Sequence, residues 1–280
     1  TKGVARYTAN FTPPTAPFPD LSPSGRVTIE DNSLDVDARQ YIINVEEQDG
    51  QSLESGVRTA INDFVVGCKS DGIWTAIKAS CILAGARTLD GALVPLAGGA
   101  PTNFSFVAGD YDRETGLIGD GNTKYLDSNR NSNADPQDDY SLTTYVTEIP
   151  VGNLPSFLLG SSNASPGTTC IGYSADESLF FRHRNNAADL ESQVNLDSFI
   201  GISRATSTEY TARSGGTNTT YTRTSQTPFN GTIAVFTEAA SLSFKTNARL
   251  AFYSIGESLD LALLDTRVSN LMTAIGAAIP

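Results

Sequence analysis

Ser141-Leu-Thr-Thr-Tyr-Val-Thr-Glu-Ile149 decides how this chain is read. It mixes β-branched and aromatic residues, and so predicts a strand. Ser178-Leu-Phe-Phe-Arg182, Phe199-Ile-Gly-Ile-Ser203, Thr219-Thr-Tyr-Thr-Arg223, Thr232-Ile-Ala-Val-Phe236 and Arg249-Leu-Ala-Phe-Tyr253 succeed it at short intervals. Polar turns such as Ser214-Gly-Gly-Thr-Asn218 separate several of them. Many short strands without intervening helices predict a mainly β fold from about residue 81 to 257, an antiparallel sandwich or jelly roll.

The flanks read differently. Residues 1–33 are proline-rich, and Pro13-Pro14 and Pro17-Phe18-Pro19 favour an extended arm whose Tyr7, Phe11 and Phe18 would anchor on a neighbouring domain. Over 34–80 the period becomes helical. Ala38, Tyr41, Ile42 and Val45 fall on one stripe behind Asp35 as N-cap, and Asp49-Gly50 ends that helix. A second helix begins near Ser52, with Glu54 in its first turn, and carries Val57, Ala60, Ile61, Phe64, Val65 and Cys68 to Asp71-Gly72. Ile73, Trp74 and Ile77 suggest a short third. Three such helices make a poor core alone, so they are expected to dock on the β-rich region C-terminal to them.

Residues 258–280 return to helix. Leu261, Leu264, Val268, Leu271 and Ile275 repeat at spacing three and four behind Ser258 as N-cap. The stripe suits packing onto the sandwich, with a trimer axis as the alternative, since it lasts only about two heptads.

At 280 residues the chain has room for one large or two small domains. It carries 31 acidic against 19 basic residues, a formal charge of −12. That charge repels phosphates and anionic membranes, so nucleic acid and membrane insertion are not expected. Cys68, Cys81 and Cys170 are an odd set without metal-ligand spacing; they read as reduced, buried thiols made in a cytosol. No signal peptide or uninterrupted membrane-length apolar run is apparent.

Motifs of catalysis are missing. His183, the only histidine, sits between Arg182 and Arg184 and reads as a surface residue, with no nucleophile motif beside it. Asp110, Asp112 and Glu114 are the closest carboxylate cluster and read as a solvated turn. The stretch from Asp127 through Asn129, Asn131, Asn133 and Asp135 to Asp138 sets oxygen side chains at alternate positions, somewhat like a calcium loop. Ser132 stands where such a loop needs glycine, and a loop of Asx turns explains the same residues. No residue is assigned a catalytic, cofactor-binding or metal-ligating role, calcium being the only cofactor considered.

Four stretches carry a family resemblance. The string Thr1-Lys2-Gly3-Val4-Ala5-Arg6-Tyr7 through Pro19 resembles the closing stretch of concanavalin/laminin-G-like sandwich modules in tailed-phage virion proteins. Ala60 to Lys78, with Asn62, Lys69, Gly72 and Trp74, looks like the helical lead-in of phage structural proteins. Gly109 to Arg130 is similar to the early strands of a concanavalin-like sandwich, and Asn247 to Asp265 resembles the last strand and closing helix of the same modules. The resemblance implies a piece of a longer virion protein, of tail-fibre, head-fibre or decoration type, assembled in the host cytoplasm and acting without catalysis. Its implied partners are other virion proteins and further copies of itself, a trimer suiting a fibre. A host-glycan-binding adhesin is the alternative, and a polysaccharide depolymerase a more distant one. For an adhesin, Tyr140, Tyr173, Tyr210 and Tyr221 are the candidates for stacking on sugar, against the reading that they pack in the sheets.

Overall fold

The computed structural model describes residues 33–191 and 198–280, so the proline-rich arm lies outside the described residues. Two helices come first, α1 (Val36–Asp49) and α2 (Ser55–Ser70). Asp35 caps α1 by accepting from the Asp37 amide at 3.0 Å, and Gly50 ends it at φ +67°, where a side chain would be strained. Glu54 is the N-cap of α2 rather than a first-turn residue.

The expected third helix is a single 3-10 turn, Trp74–Ala76. Ile77 instead opens β1 (Ile77–Ile82), and a short helix α3 (Leu89–Ala92) comes next. The strand wins because its pairing with the C-terminal strand satisfies the backbone and buries Ile82 and Cys81, which a one-turn helix cannot do. The remaining early strands are β2 (Thr102–Phe104), β3 (Tyr111–Asp112), β4 (Gly116–Ile118), β5 (Tyr125–Asn131), β6 (Tyr140–Glu148) and β7 (Ser156–Gly160). Then come β8 (Thr169–Tyr173), β9 (Leu179–His183), β10 (Asp189–Glu191), β11 (Phe199–Arg204) and β12 (Glu209–Ser214). The last are β13 (Thr217–Thr222), β14 (Thr232–Val235), β15 (Arg249–Gly256) and the closing helix α4 (Leu261–Ala278).

The strands form two antiparallel sheets facing each other, the sandwich expected from the sequence. The first runs β13-β12-β11-β6-β15-β4-β3, with β1 also on β15; the second runs β10-β9-β8-β7-β14-β5-β2. The chain crosses between sheets at β1–β2, β2–β3, β4–β5, β5–β6, β6–β7, β10–β11, β13–β14 and β14–β15, as a jelly roll does. Between the sheets lies a core that includes Leu126, Leu142, Ile171, Phe181, Ile202 and Val235.

A second core lies on the outside of the first sheet. There α1, α2 and α4 pack on Phe199, Ala251 and Phe252, with Phe64 edge-on to Phe252 at 5.9 Å. Both faces of β15 are therefore covered, which is why its sequence is a continuous apolar run. The whole α4 stripe, Leu261, Leu264, Val268, Leu271 and Ile275, is buried in this layer of the single chain. The helices dock as expected, and the stripe is not free to line a trimer axis. Asp260, not Ser258, caps α4, because its carboxylate accepts the Ala262 and Leu263 amides while Ser258 donates to Asp139. No helix of the described residues is long and apolar enough to cross a membrane.

Candidate functional site

Among the described residues, no helix covers the outer face of the second sheet as helices cover the first. On a strand successive side chains alternate between faces. On β9, Leu179, Phe181 and His183 point to the inter-sheet core, so Phe180 and Arg182 point outward. Phe157 on β7, Cys170 on β8 and Leu190 on β10 share that outward face. Phe244, from the segment between β14 and β15, packs against Phe157 at 5.8 Å, and Phe180 meets Phe157 edge-on at 5.1 Å. Phe180 lies so close over Gly172 that a Cβ there would sit 2.8 Å from its ring.

Phe157 and Phe180 are themselves buried, and with the half-buried Phe244 they underlie an open pocket of about 440 Å³. Leu190 forms part of its wall and is 56% exposed, while Asn163 and Ser174 bring polar groups from the loops on either side of β8. Arg182 is the one charged side chain in the lining. Its guanidinium lies 5.8 Å from the Phe180 ring centre, and among the described residues it has no ion-pair partner. Its Nε is buried without a hydrogen-bond partner. The neighbouring carboxylate, Glu238, is engaged instead by the amide and hydroxyl of Ser241. A larger groove of about 520 Å³ runs between α2 and α4, but its guanidinium, Arg267, is already satisfied by Asp71 at 2.7 Å.

The residues singled out in the sequence lie elsewhere. His183 is not at the surface: it is wholly buried between Tyr140 and Tyr210, with ring centres 5.5 and 5.3 Å away. Its Nε2 donates to the Tyr140 carbonyl at 3.1 Å, since that oxygen can only accept. Desolvation, and then the charges of Arg204 and Arg184, hold its pKa well below the usual imidazole value. Sealed and neutral, it cannot reach a substrate. The surface reading failed because adjacent arginines signal exposure only while they are themselves exposed, and Arg184 is wholly buried.

The carboxylates of the 110–114 cluster have local duties. Asp110 pairs with Lys124, Asp112 accepts from Glu114 N, Thr115 N and Thr115 Oγ1, and Glu114 is exposed. The calcium-like stretch does not form a wrapping loop. Asp127, Asn129 and Asn131 belong to β5, where alternate residues stand roughly 7 Å apart along an extended chain. Asp127 accepts the Asn129 amide, Asp135 pairs with Arg130, and Asp138 accepts from Ser225. Among the described residues no cluster of three His, Cys, Asp or Glu is placed to hold a metal.

Tyr140, Tyr173 and Tyr210 are buried and offer no face to a sugar. Tyr210 donates to Asp189 at 2.9 Å and stacks on the half-buried Tyr221, which donates to Glu191 at 3.1 Å. Cys68, Cys81 and Cys170 are free and buried, and desolvation pushes each thiol up to about 12, so they pack as small hydrophobes. The pocket residues were not singled out from sequence. One signal was present: Phe157-Leu158-Leu159 and Leu179-Phe180-Phe181 are apolar on both faces, more than an antiparallel strand with one wet face requires.

No family model matches the sequence, and no curated protein matches it. Solved structures similar to it include a Trypanosoma rangeli sialidase in complex with 2,3-difluoro-KDN, 12% identical, with a TM-score of 0.46. That match covers 70% of this chain, which spans 33% of the sialidase. A SAP-like pentraxin from Limulus polyphemus is 11% identical over 46% of this chain and 69% of the pentraxin, at a TM-score of 0.32. The enzymatically active domain of bacteriophage CBA120 tailspike protein 2 is 10% identical over 62% of this chain and 29% of that one, at 0.39. Likeness at this level carries no function across. The fold rests on the strand pairing of the chain itself.

Proposed function

We propose that this protein is a non-enzymatic component of a bacteriophage particle, of fibre or decoration type, that acts by assembly and by presenting a saccharide-binding surface to the host. The observation that carries the reading is the open aromatic pocket on the second sheet. It lies on the far side of the sandwich from α1, α2 and α4. One face is then free to engage virion neighbours while the opposite face stays accessible. Phe244 and Leu190, the apolar side chains of the lining that reach the surface, offer what the apolar C–H faces of a pyranose pack against, with a few polar groups at the rim. The sealed His183 supports binding without turnover.

The pocket favours the adhesin form of this reading over a pure scaffold. Assembly as a homo-oligomer with other virion proteins, on particles built in the host cytoplasm, belongs to the same proposal and draws on the sequence resemblance. Two measurements test it. Antibody labelling of particles places the chain on the virion or does not. A glycan array of host-surface polysaccharides, probed with the full chain, should give binding that Phe244→Ala and Leu190→Ala together abolish. Binding to no saccharide leaves only the scaffold reading. Release of reducing ends from any polymer overturns the non-enzymatic one.

A further inference from the structure

We infer that the pocket on the second sheet selects an acidic saccharide, one carrying a carboxylate and an apolar substituent such as an N-acetyl or deoxy methyl group, with Arg182 as the carboxylate's partner. The inference rests on the saccharide reading above and names the class of sugar.

The polarity of the lining disfavours a neutral hexose. Phe157, Phe180, Phe244 and Leu190, together with a proline and three alanines, make most of that lining, and Asn163 and Ser174 are its neutral polar side chains. A neutral hexose carries hydroxyls around its whole rim. Each one desolvated against this lining without a partner would weaken binding by about tenfold. A sugar with a methyl-bearing substituent and fewer hydroxyls directed inward avoids that cost. It gains instead from burying apolar surface on the rings.

The charge of the pocket calls for an anion. The chain has 12 more acidic than basic residues, yet this pocket has no carboxylate in its lining and one guanidinium. Among the described residues, the arginines of the ion pairs, such as Arg58, Arg113, Arg223 and Arg267, already have a carboxylate at 2.7 Å or closer. Arg182 does not: beside it lies the Cys170 thiol, a weak acceptor, and the nearby Glu238 carboxylate is engaged by Ser241. Phe180 keeps one face of the guanidinium from water, and a ligand carboxylate meeting it there forms a charge-assisted pair strengthened by the local low dielectric. Asn163 at the rim can take an amide or a remaining hydroxyl, whereas the Ser174 hydroxyl already donates to Asp176 and to the Ser178 carbonyl.

The test is an array of acidic capsular and lipopolysaccharide oligosaccharides, each beside its own carboxyl-reduced counterpart, probed with the full chain. Binding should favour the acids by about tenfold or more over the reduced partners and weaken as salt is raised. Arg182→Gln should bring the acids down to the level of the reduced sugars and leave the latter unchanged. Leu190→Glu, at an exposed site where folding is not at stake, should repel the acids selectively. Equal binding of acids and reduced sugars, or indifference of acid binding to Leu190→Glu, overturns the inference and leaves the saccharide reading standing. Binding to nothing on the array removes both.

Discussion

The guanidinium carbon of Arg184 lies 3.9 Å from the centre of the Tyr140 ring, and both side chains are wholly buried. Arg184 donates to the carbonyl and hydroxyl of Ser132 and to the carbonyl of Asp135 rather than to a carboxylate. Arg204, equally buried, donates to the carbonyls of Thr206, Arg223 and His183. One end of the sandwich is thus held by two cations set among backbone dipoles and ring faces, with the neutral His183 among them. Such sites are strongly destabilised when one partner is removed, because the others stay buried and unpaired.

Arg184→Met should therefore cost about 2–4 kcal/mol, since it strands the carbonyls of Ser132 and Asp135. Tyr140→Phe should cost nothing measurable or stabilise slightly, because the Tyr140 hydroxyl is buried without a hydrogen-bond partner. Urea midpoints of the two variants check the contrast. Equal losses would mean that the hydroxyl contributes as much as the guanidinium to holding this end together.

His183 gives stability a pH dependence of known sign. Its folded pKa is depressed by burial and by Arg204 and Arg184, whereas the unfolded value is about 6.5. Below that value the unfolded chain binds the extra proton, so stability is full above it and falls as the pH drops, by about 1.4 kcal/mol per unit. Carboxylates held low by hydrogen bonds, such as Asp112 and Asp120, add their loss only below about pH 4. The slope of Tm between pH 6.5 and about 5 should vanish in His183→Gln.

Leu264 on α4 is wholly buried against α2 and the first sheet. Leu264→Asp should unfold or severely destabilise the single chain, by about 4 kcal/mol or more. Size exclusion and circular dichroism together distinguish this from a folded monomer released from an oligomer. The latter outcome would return the stripe to a subunit interface.

Asp49 joins the end of α1 to the chain before α3. Its carboxylate accepts the Arg87 amide at 2.7 Å, the Thr88 amide at 2.9 Å and the Thr88 hydroxyl at 2.7 Å. Asp49→Ala should cost about 2–3 kcal/mol. Gly91→Ala should cost a similar amount, because its Cβ would fall 2.2 Å from Asp49 Oδ1. In the double mutant the two losses should fall well short of adding, which thermal melts of the cycle would register.

Much of the fold was legible because its signals are local. Ala38, Tyr41, Ile42 and Val45 announce a helical face through spacing alone, and α1 buries all four. Phe199 to Ser203 and Arg249 to Tyr253 announce strands through β-branched and aromatic content, and both are central in the first sheet. Ile77 misled because its apolar spacing fits a helix as well as a strand, and only its partner β15 arbitrates. The sequence left the candidate tyrosines undecided because a ring near a turn can face either water or the other sheet. Tyr210 faces Asp189.

Periodicity and backbone preference act within a few residues, so local pattern settles most element types, β1 excepted, together with the antiparallel sandwich and the helical face that must be covered. Which faces stay open was decided only by the tertiary structure. Phe157, Phe180, Arg182 and Phe244 come together from β7, β9 and a distant crossing segment, while His183 and Arg184, next to Arg182 in the chain, are sealed inside. Burial is set by what packs above a strand, and that depends on residues far away along the chain.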